Sequence, residues 1–364
     1  MNGVERMITA LSRGVSDRVP HWELAYNESS IVNIARQFTD DVPEPDYIQR
    51  IPFEEKVRLF EAVILIMEEL DVDGITLRIF PESELLDGDY LRDDWGVTFM
   101  MSPYGESLVR DGPIKDEADL KNYKPPHIKE SDLLALMYCV ERFKGRRAIV
   151  LSVQCPFRRS WNLLGGMKYL LINYRKNPNL VHRIARIVTD YTIEALSMGV
   201  KLGADIICLD GDLAHNTDLI ISPDQFRTFV KPYYIEIVEH VHRMGLKIIK
   251  HTDGNHWKIM EDFLEIGFDG IHPIQPQCLD LATVKKEVGD RICLLGNIDC
   301  MFTLVSGSIQ EVEEEVKRAI EIAAPGGGYI IASSNTIHPG VKAENYIAMV
   351  KAAHKYGVYG NGLR

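Results

Sequence analysis

The stretch "LKIIKHTDG", residues 246–254, decides how this chain is read. Leu246 to Ile249 is mostly aliphatic, and the run stops abruptly at Lys250-His251-Thr252-Asp253-Gly254. A short apolar run of this kind suits a strand buried on both faces. Side chains alternate along a strand, so His251 and Asp253 share one face where it ends. Taken alone, the stretch also fits a turn with an Asx-type cap at Asp253-Gly254. Its recurrence along the chain decides between the two.

Eight such runs can be read: "RVPHWELA" (18–25), "DGITLRIFP" (73–81), "RAIVLSVQCP" (147–156), "ADIICLDGD" (204–212), the opening stretch (246–254), "FDGIHPIQP" (268–276), "RICLLGNID" (291–299) and "GGYIIASSN" (327–335). Helical segments separate them. Ser222-Pro223 supplies an N-cap and a first-turn proline, and Pro232 breaks or kinks the helix that follows. Ser308 with Glu311 forms a capping box before "VEEEVKRAIEIAA". Strand and helix alternating eight times predict an α/β fold, a (β/α)8 TIM barrel formed by residues 1–364 as one domain. A doubly wound open sheet is the competing arrangement, but no dinucleotide glycine fingerprint follows a strand. An N-terminal extension precedes the first strand. Residues 82–146 are too long for a simple crossover and predict a hairpin-containing insertion after strand two.

Composition narrows the function. The 364 residues are 46% hydrophobic, enough for a large core, and the formal charge of −12 argues against a dedicated nucleic-acid binder. No apolar run approaches the roughly 20 residues of a membrane helix, and the first residues lack the apolar core of a signal peptide. Six cysteines without a CxxC pair read as reduced thiols in a cytoplasmic protein.

In such barrels the chemistry sits at the C-terminal strand ends. The polar residues there are Glu23, Arg78, Gln154, Asp210, Asp212, His251, Asp253, His272, Asn297, Asp299 and Asn335. With so many strands aiming polar groups at one rim, the opening stretch becomes a site wall.

At these residues the chain resembles the uroporphyrinogen decarboxylase superfamily. The resemblance is carried by "CPFRRSWNLLGG", "SPDQFRTFVKPYYIEIVEHVHRMGLKIIKHTDG", "LLGNID" and "GGYIIASSNTIHPGV". It implies a (β/α)8 barrel and one of two activities: cofactor-free decarboxylation of uroporphyrinogen, or zinc-dependent methyl exchange with a corrinoid protein. The decarboxylase branch meets its polycarboxylate with an arginine segment after the first strand. Here the matching stretch is "ELAYNES" (23–29), without arginine, and that branch's histidine near the last strand falls on Asn335. The methyltransferase branch binds zinc through His-x-Cys and a later Cys. Here the histidine is His251, while the cysteines are replaced by Asp253 and Asn335.

Zinc accepts nitrogen and oxygen ligands, so the expected metal ligands are His251, Asp253 and His272, with Glu23 and Asp212 in reserve. The catalytic set is expected to be His251, Asp253, Asp212 and Asn335. A harder, thiolate-free metal suits an oxygen atom, which points to O-demethylation of a methoxylated aromatic with a separate corrinoid protein as methyl acceptor. The alternatives are uroporphyrinogen decarboxylation and a ligand-binding barrel without chemistry. Glu23, Arg78, Arg158, His215, Trp257 and His338 are the substrate-binding candidates. Trp22, Phe80 and Trp161 join Trp257 as candidate ring walls. Arg78, Arg158 and Arg159 are the candidates for docking the corrinoid protein, and a homodimer is compatible with the sequence.

Overall fold

The computed structural model describes residues 1–81, 83–102 and 107–360. Its strands are β1 (Gly74–Arg78), β2 (Glu84–Leu85), β3 (Tyr90–Arg92), β4 (Thr98–Met101), β5 (Ser107–Asp111), β6 (Ala148–Gln154), β7 (Ile206–Asp210), β8 (Lys247–His251), β9 (Gly270–His272), β10 (Cys293–Ile298) and β11 (Tyr329–Ser333). β1 and β6 through β11 form a parallel sheet in chain order, with helices between successive strands.

The eighth position belongs to residues 18–26. The sequence predicts a strand there, and the structure has an extended segment held by single bridges. His21 bridges Ile331 and Trp22 bridges Gly74, both parallel, so the segment spans the gap between β11 and β1. Trp22 N donates to the Ile331 carbonyl, and Ile331 N donates to the Pro20 carbonyl. Pro20 has no N–H of its own to give, which interrupts the ladder on that side.

Two apolar layers follow from strand alternation. Inward residues such as Trp22, Val150, Cys208, Ile249 and Leu295 pack with Met7, Ala10 and Leu11, so the helix Gly3–Leu11 plugs one end of the barrel. Outward residues such as Ile149, Leu151, Ile207 and Ile248 pack against the surrounding helices. Pro232 acts as its φ restriction demands. The helical stretch splits into Pro223–Phe229 and Lys231–Arg243, and Ser222 caps the first part reciprocally with Gln225. The Ser308–Glu311 capping box starts the helix Ile309–Ala323.

The insertion is larger than a hairpin. β2 to β5 form a four-stranded antiparallel sheet. Arg159 fastens it to the barrel: its Nη1 donates to Asp93 at 2.6 Å and its guanidinium lies 4.9 Å over the Trp95 ring. No helix among the described residues is long and apolar enough to cross a membrane.

Candidate metal centre at the barrel mouth

Strand register builds the site. Gln154 pairs with Asp210, Asp210 with His251, and His251 with His272, so four adjacent strands end on one rung. Partners in a parallel ladder point to the same side, and here that side is the barrel interior. Two residues further along β7 and β8, Asp212 and Asp253 face the same way. His251 Nε2 is 3.7 Å from an oxygen of Asp212, 3.7 Å from one of Asp253 and 3.9 Å from one of Asp210. Ligand atoms of Asp212, His251 and Asp253 all lie within 4.8 Å of one another.

The other face of His251 fixes which nitrogen is bare. His251 Nδ1 and His272 Nδ1 are 2.9 Å apart, so one donates and the other accepts. His272 Nε2 lies 3.2 Å from the Ser333 carbonyl, which can only accept. His272 therefore carries its proton on Nε2 and accepts at Nδ1. His251 must then donate from Nδ1, which leaves the lone pair of its Nε2 among three carboxylates. A metal-binding histidine is ordinarily oriented through its far N–H, and here the acceptor is His272, itself held by the Ser333 carbonyl.

Electrostatics agree with a cation site. Burial lowers the pKa of both histidines, keeping them neutral; His251 feels an opposing pull from Asp210 and Asp212. Burial, then Asp212 and Asp210, push the Asp253 carboxyl well above the usual range. One Asp253 oxygen accepts from Asn335 Nδ2, while the other is buried without a hydrogen-bond partner. A bare imidazole nitrogen, an orphaned carboxylate oxygen and two further acids fit a divalent cation with nitrogen and oxygen ligands. Asp210 differs from its neighbours. Burial would raise it, but Arg78, with help from His251, Lys250 and Arg158, holds it below the usual range.

The other expected residues separate clearly. His272, expected as a metal ligand, stands behind His251 with its Nδ1 against that of His251, while Asp212, expected only in reserve, lies near His251 Nε2. Asn335 supports Asp253. Glu23 is buried at 1% exposure, and its carboxylate accepts from Ser333 N, Ser333 Oγ and His21 Nε2. That carboxylate closes the barrel and has no face toward a substrate. His338 uses both ring nitrogens, donating to the Cys300 carbonyl beyond β10 and accepting from Gly340 N in its own loop. Trp22 is fully buried beneath the site, edge-on to His272 at 5.2 Å, so it is core rather than wall. Trp161 lies under Arg158, and Phe80 packs edge-on to Phe60. Arg78 and Arg158 do reach the mouth, 3.3 Å from Asp210 and 3.8 Å from Asp212. His215 and Trp257 are exposed on the loops beyond β7 and β8. Arg159 is occupied by Asp93, which removes it from the docking candidates.

Sequence reasoning missed Lys250. Its side chain is fully buried, and its ammonium donates to the carbonyls of Leu209, Gly211 and His251 while lying 5.6 Å over the Tyr234 ring. It ties together the two strand ends that carry the acids and the histidine. A lysine directly after the apolar run, one residue before His251, was the available signal.

A family model described as uroporphyrinogen decarboxylase (URO-D) matches residues 91–356. The chain belongs to the uroporphyrinogen decarboxylase family. Similar members of that family carry two different names. The methylcobamide:CoM methyltransferase MtaA of Methanosarcina barkeri is 28% identical over 255 residues, 70% of either chain. A uroporphyrinogen decarboxylase of Alkalilimnicola ehrlichii is 26% identical over 303 residues, covering 77% of this chain and 78% of its own. The solved structure of a methyltransferase from Methanosarcina mazei covers 98% of this chain and 99% of its own with a TM-score of 0.76 at 22% identity, which establishes the shared barrel.

Proposed function

We propose that this member of the uroporphyrinogen decarboxylase family is a methyltransferase. It moves a methyl group from a small methylated donor, a methoxylated aromatic, to the Co(I) of a separate corrinoid protein. The observation that carries this reading is the bare His251 Nε2 facing Asp212 and Asp253, a ligand set of nitrogen and oxygen only. His251, Asp212 and Asp253 would hold zinc. When bound, zinc supplies a Lewis acid that favours negative charge developing on an oxygen atom. The MtaA relative, named as a methylcobamide:CoM methyltransferase, supports the methyltransferase class.

The reaction balances as a methyl cation transfer. The C–O bond of the ether breaks, its electron pair stays on oxygen, and the carbon bonds to cobalt, which goes from Co(I) to methyl-Co(III). The phenolate takes one proton from water. The chain's own residues orient and exclude. Ser333 and His272 fix the His251 ring, Asn335 holds one oxygen of Asp253, and Lys250 pins the strand ends. Pre-set positions of this kind need no rearrangement as charge develops. Decarboxylation of a polycarboxylate fits poorly, because the stretch after the first strand, residues 23–29, holds no arginine to meet several carboxylates.

The test is methyl transfer to a reduced corrinoid protein across methoxylated aromatics, methylated thiols and methylated amines, with zinc content measured on the same samples. Transfer from an aryl ether that is lost on chelation and restored by zinc supports the reading. Tightly held zinc without transfer from any donor would leave a binding barrel. Carbon dioxide release from uroporphyrinogen would restore decarboxylation. Docking of the corrinoid protein is expected to involve Arg158 at the mouth and to weaken with salt.

A further inference from the structure

A cavity beside the metal centre, which shares Asp210 with it, has no other part in the reading above. It opens between the ends of β1 and β6, extends toward the helix Pro178–Leu202, and has a volume of about 140 Å³. That is room for a single ring, since an apolar cavity of about 150 Å³ holds benzene. Arg78 and Asp210 form the side nearest the metal centre, Trp95 and Tyr191 supply ring walls, and Val188 adds an aliphatic one. The two rings meet edge to face at 4.6 Å, a rigid apolar corner.

Two features mark the cavity as built for a ligand. Gln154 lines it, and its side-chain oxygen is buried without a hydrogen-bond partner, an arrangement that costs stability unless something else satisfies it. Arg78 donates to only one partner among the described residues, Asp210 at 3.3 Å, and its side chain is 49% exposed. The rest of its guanidinium fork is open, and such a fork matches the two oxygens of a carboxylate. Asp210 links the cavity to the metal centre, since it lies 3.9 Å from His251 Nε2.

We infer that this cavity binds the body of an aromatic methyl donor that carries a carboxylate. The carboxylate pairs with Arg78, the ring lies toward Trp95 and Tyr191, a ring hydroxyl, where present, donates to Gln154 Oε1, and the methylated oxygen is turned to the His251 side. This rests on the methyltransferase reading for the donor's reactive end. The carboxylate subsite stands on the cavity alone.

Binding and transfer therefore need separate measurement. Titration calorimetry on the zinc-loaded full chain would compare 4-methoxybenzoate with 4-methoxybenzyl alcohol, which has the same ring and ether but no charge. The carboxylate should bind at least about 10-fold more tightly, the worth of a charge-assisted pair. Arg78→Gln should erase that preference by weakening only the carboxylate, while Arg78→Lys should keep part of it. Because Arg78 is half exposed, both variants are expected to fold, and circular dichroism checks this. Equal binding of the two ligands, or equal losses for both in Arg78→Gln, overturns the subsite. Arg78-dependent binding without methyl transfer keeps the subsite and sinks the proposed reaction. Transfer that runs equally well from both donors does the reverse.

Discussion

Two ends of the same barrel rim present polar side chains in opposite conditions. At the ends of β7 and β8, His251 Nε2 and one Asp253 oxygen face each other with no donor between them. Around β11, two residues of comparable kind are satisfied: Glu23 takes three donors' hydrogen bonds, and His338 uses both ring nitrogens. The residue types are the same on both sides, histidine and carboxylate at strand exits. What differs is whether the fold completes their hydrogen bonding. An incomplete set that is buried marks a place for a ligand, and a complete one marks a joint.

The comparison breaks most readily at His251. His251→Ala should lower metal affinity by more than about 100-fold, beyond what a merely supporting residue contributes, with an unfolding midpoint close to that of metal-free wild type. Metal analysis after dialysis decides this, and retention of one metal per chain would remove the site. The joint should behave oppositely. Glu23→Gln weakens buried charged hydrogen bonds and should cost about 3 kcal/mol in denaturant unfolding, while the protein that stays folded still takes up metal.

His272 lies between the two regimes, since it reaches from the Ser333 carbonyl to His251. His272→Leu should cost roughly 10- to 100-fold in metal affinity, with partial rescue by His272→Gln, which can both donate and accept. A smaller effect concerns acid stability. His256 is fully buried, and burial pushes its pKa from 6.5 down to about 3. The unfolded chain therefore takes a proton that the folded chain refuses. Its contribution is complete above pH 6.5 and is lost as pH falls toward 3, by at most about 1.4 kcal/mol per pH unit. Urea unfolding of His256→Phe should show a shallower decline over that window. The smallest effect is at the far joint. His338→Ala should cost about 1 kcal/mol of stability and leave metal affinity unchanged.

Much of this was legible before any coordinates. Seven of the eight runs contain a sheet strand, because runs buried on both faces carry a period that local turn chemistry does not mimic. The eighth, at 18–25, read as a strand from its apolar residues, yet Pro20 reduces its ladder to isolated bridges. The pairing of His251 with Asp253 was legible because it needs only alternation within one strand. The role of His272 was not, because ligand and orienter look alike in sequence. Their difference lies in which nitrogen faces Ser333, 61 residues away. Glu23 misled for the same reason: a carboxylate at a strand exit shows nothing of the donors gathered around it by distant segments. Arg158 and Arg159 are adjacent in sequence, and only the insertion's Asp93 tells them apart.

The closing segment at 18–26 also bears on how the molecule comes into being. Glu23 meets Ser333 across 310 residues of chain, and among the described residues the two edges of the sheet join through that early segment. During synthesis, residues 18–26 leave the ribosome with no partner on one side until β11 follows them. Contacts of such long range form slowly and leave strand edges open in the interval. The Ser333 carbonyl that sets the His251 ring arrives in that same last step. Metal uptake should therefore report on the finished chain alone, and a nascent chain halted before residue 333 should bind little metal even though His251, Asp212 and Asp253 have all been made.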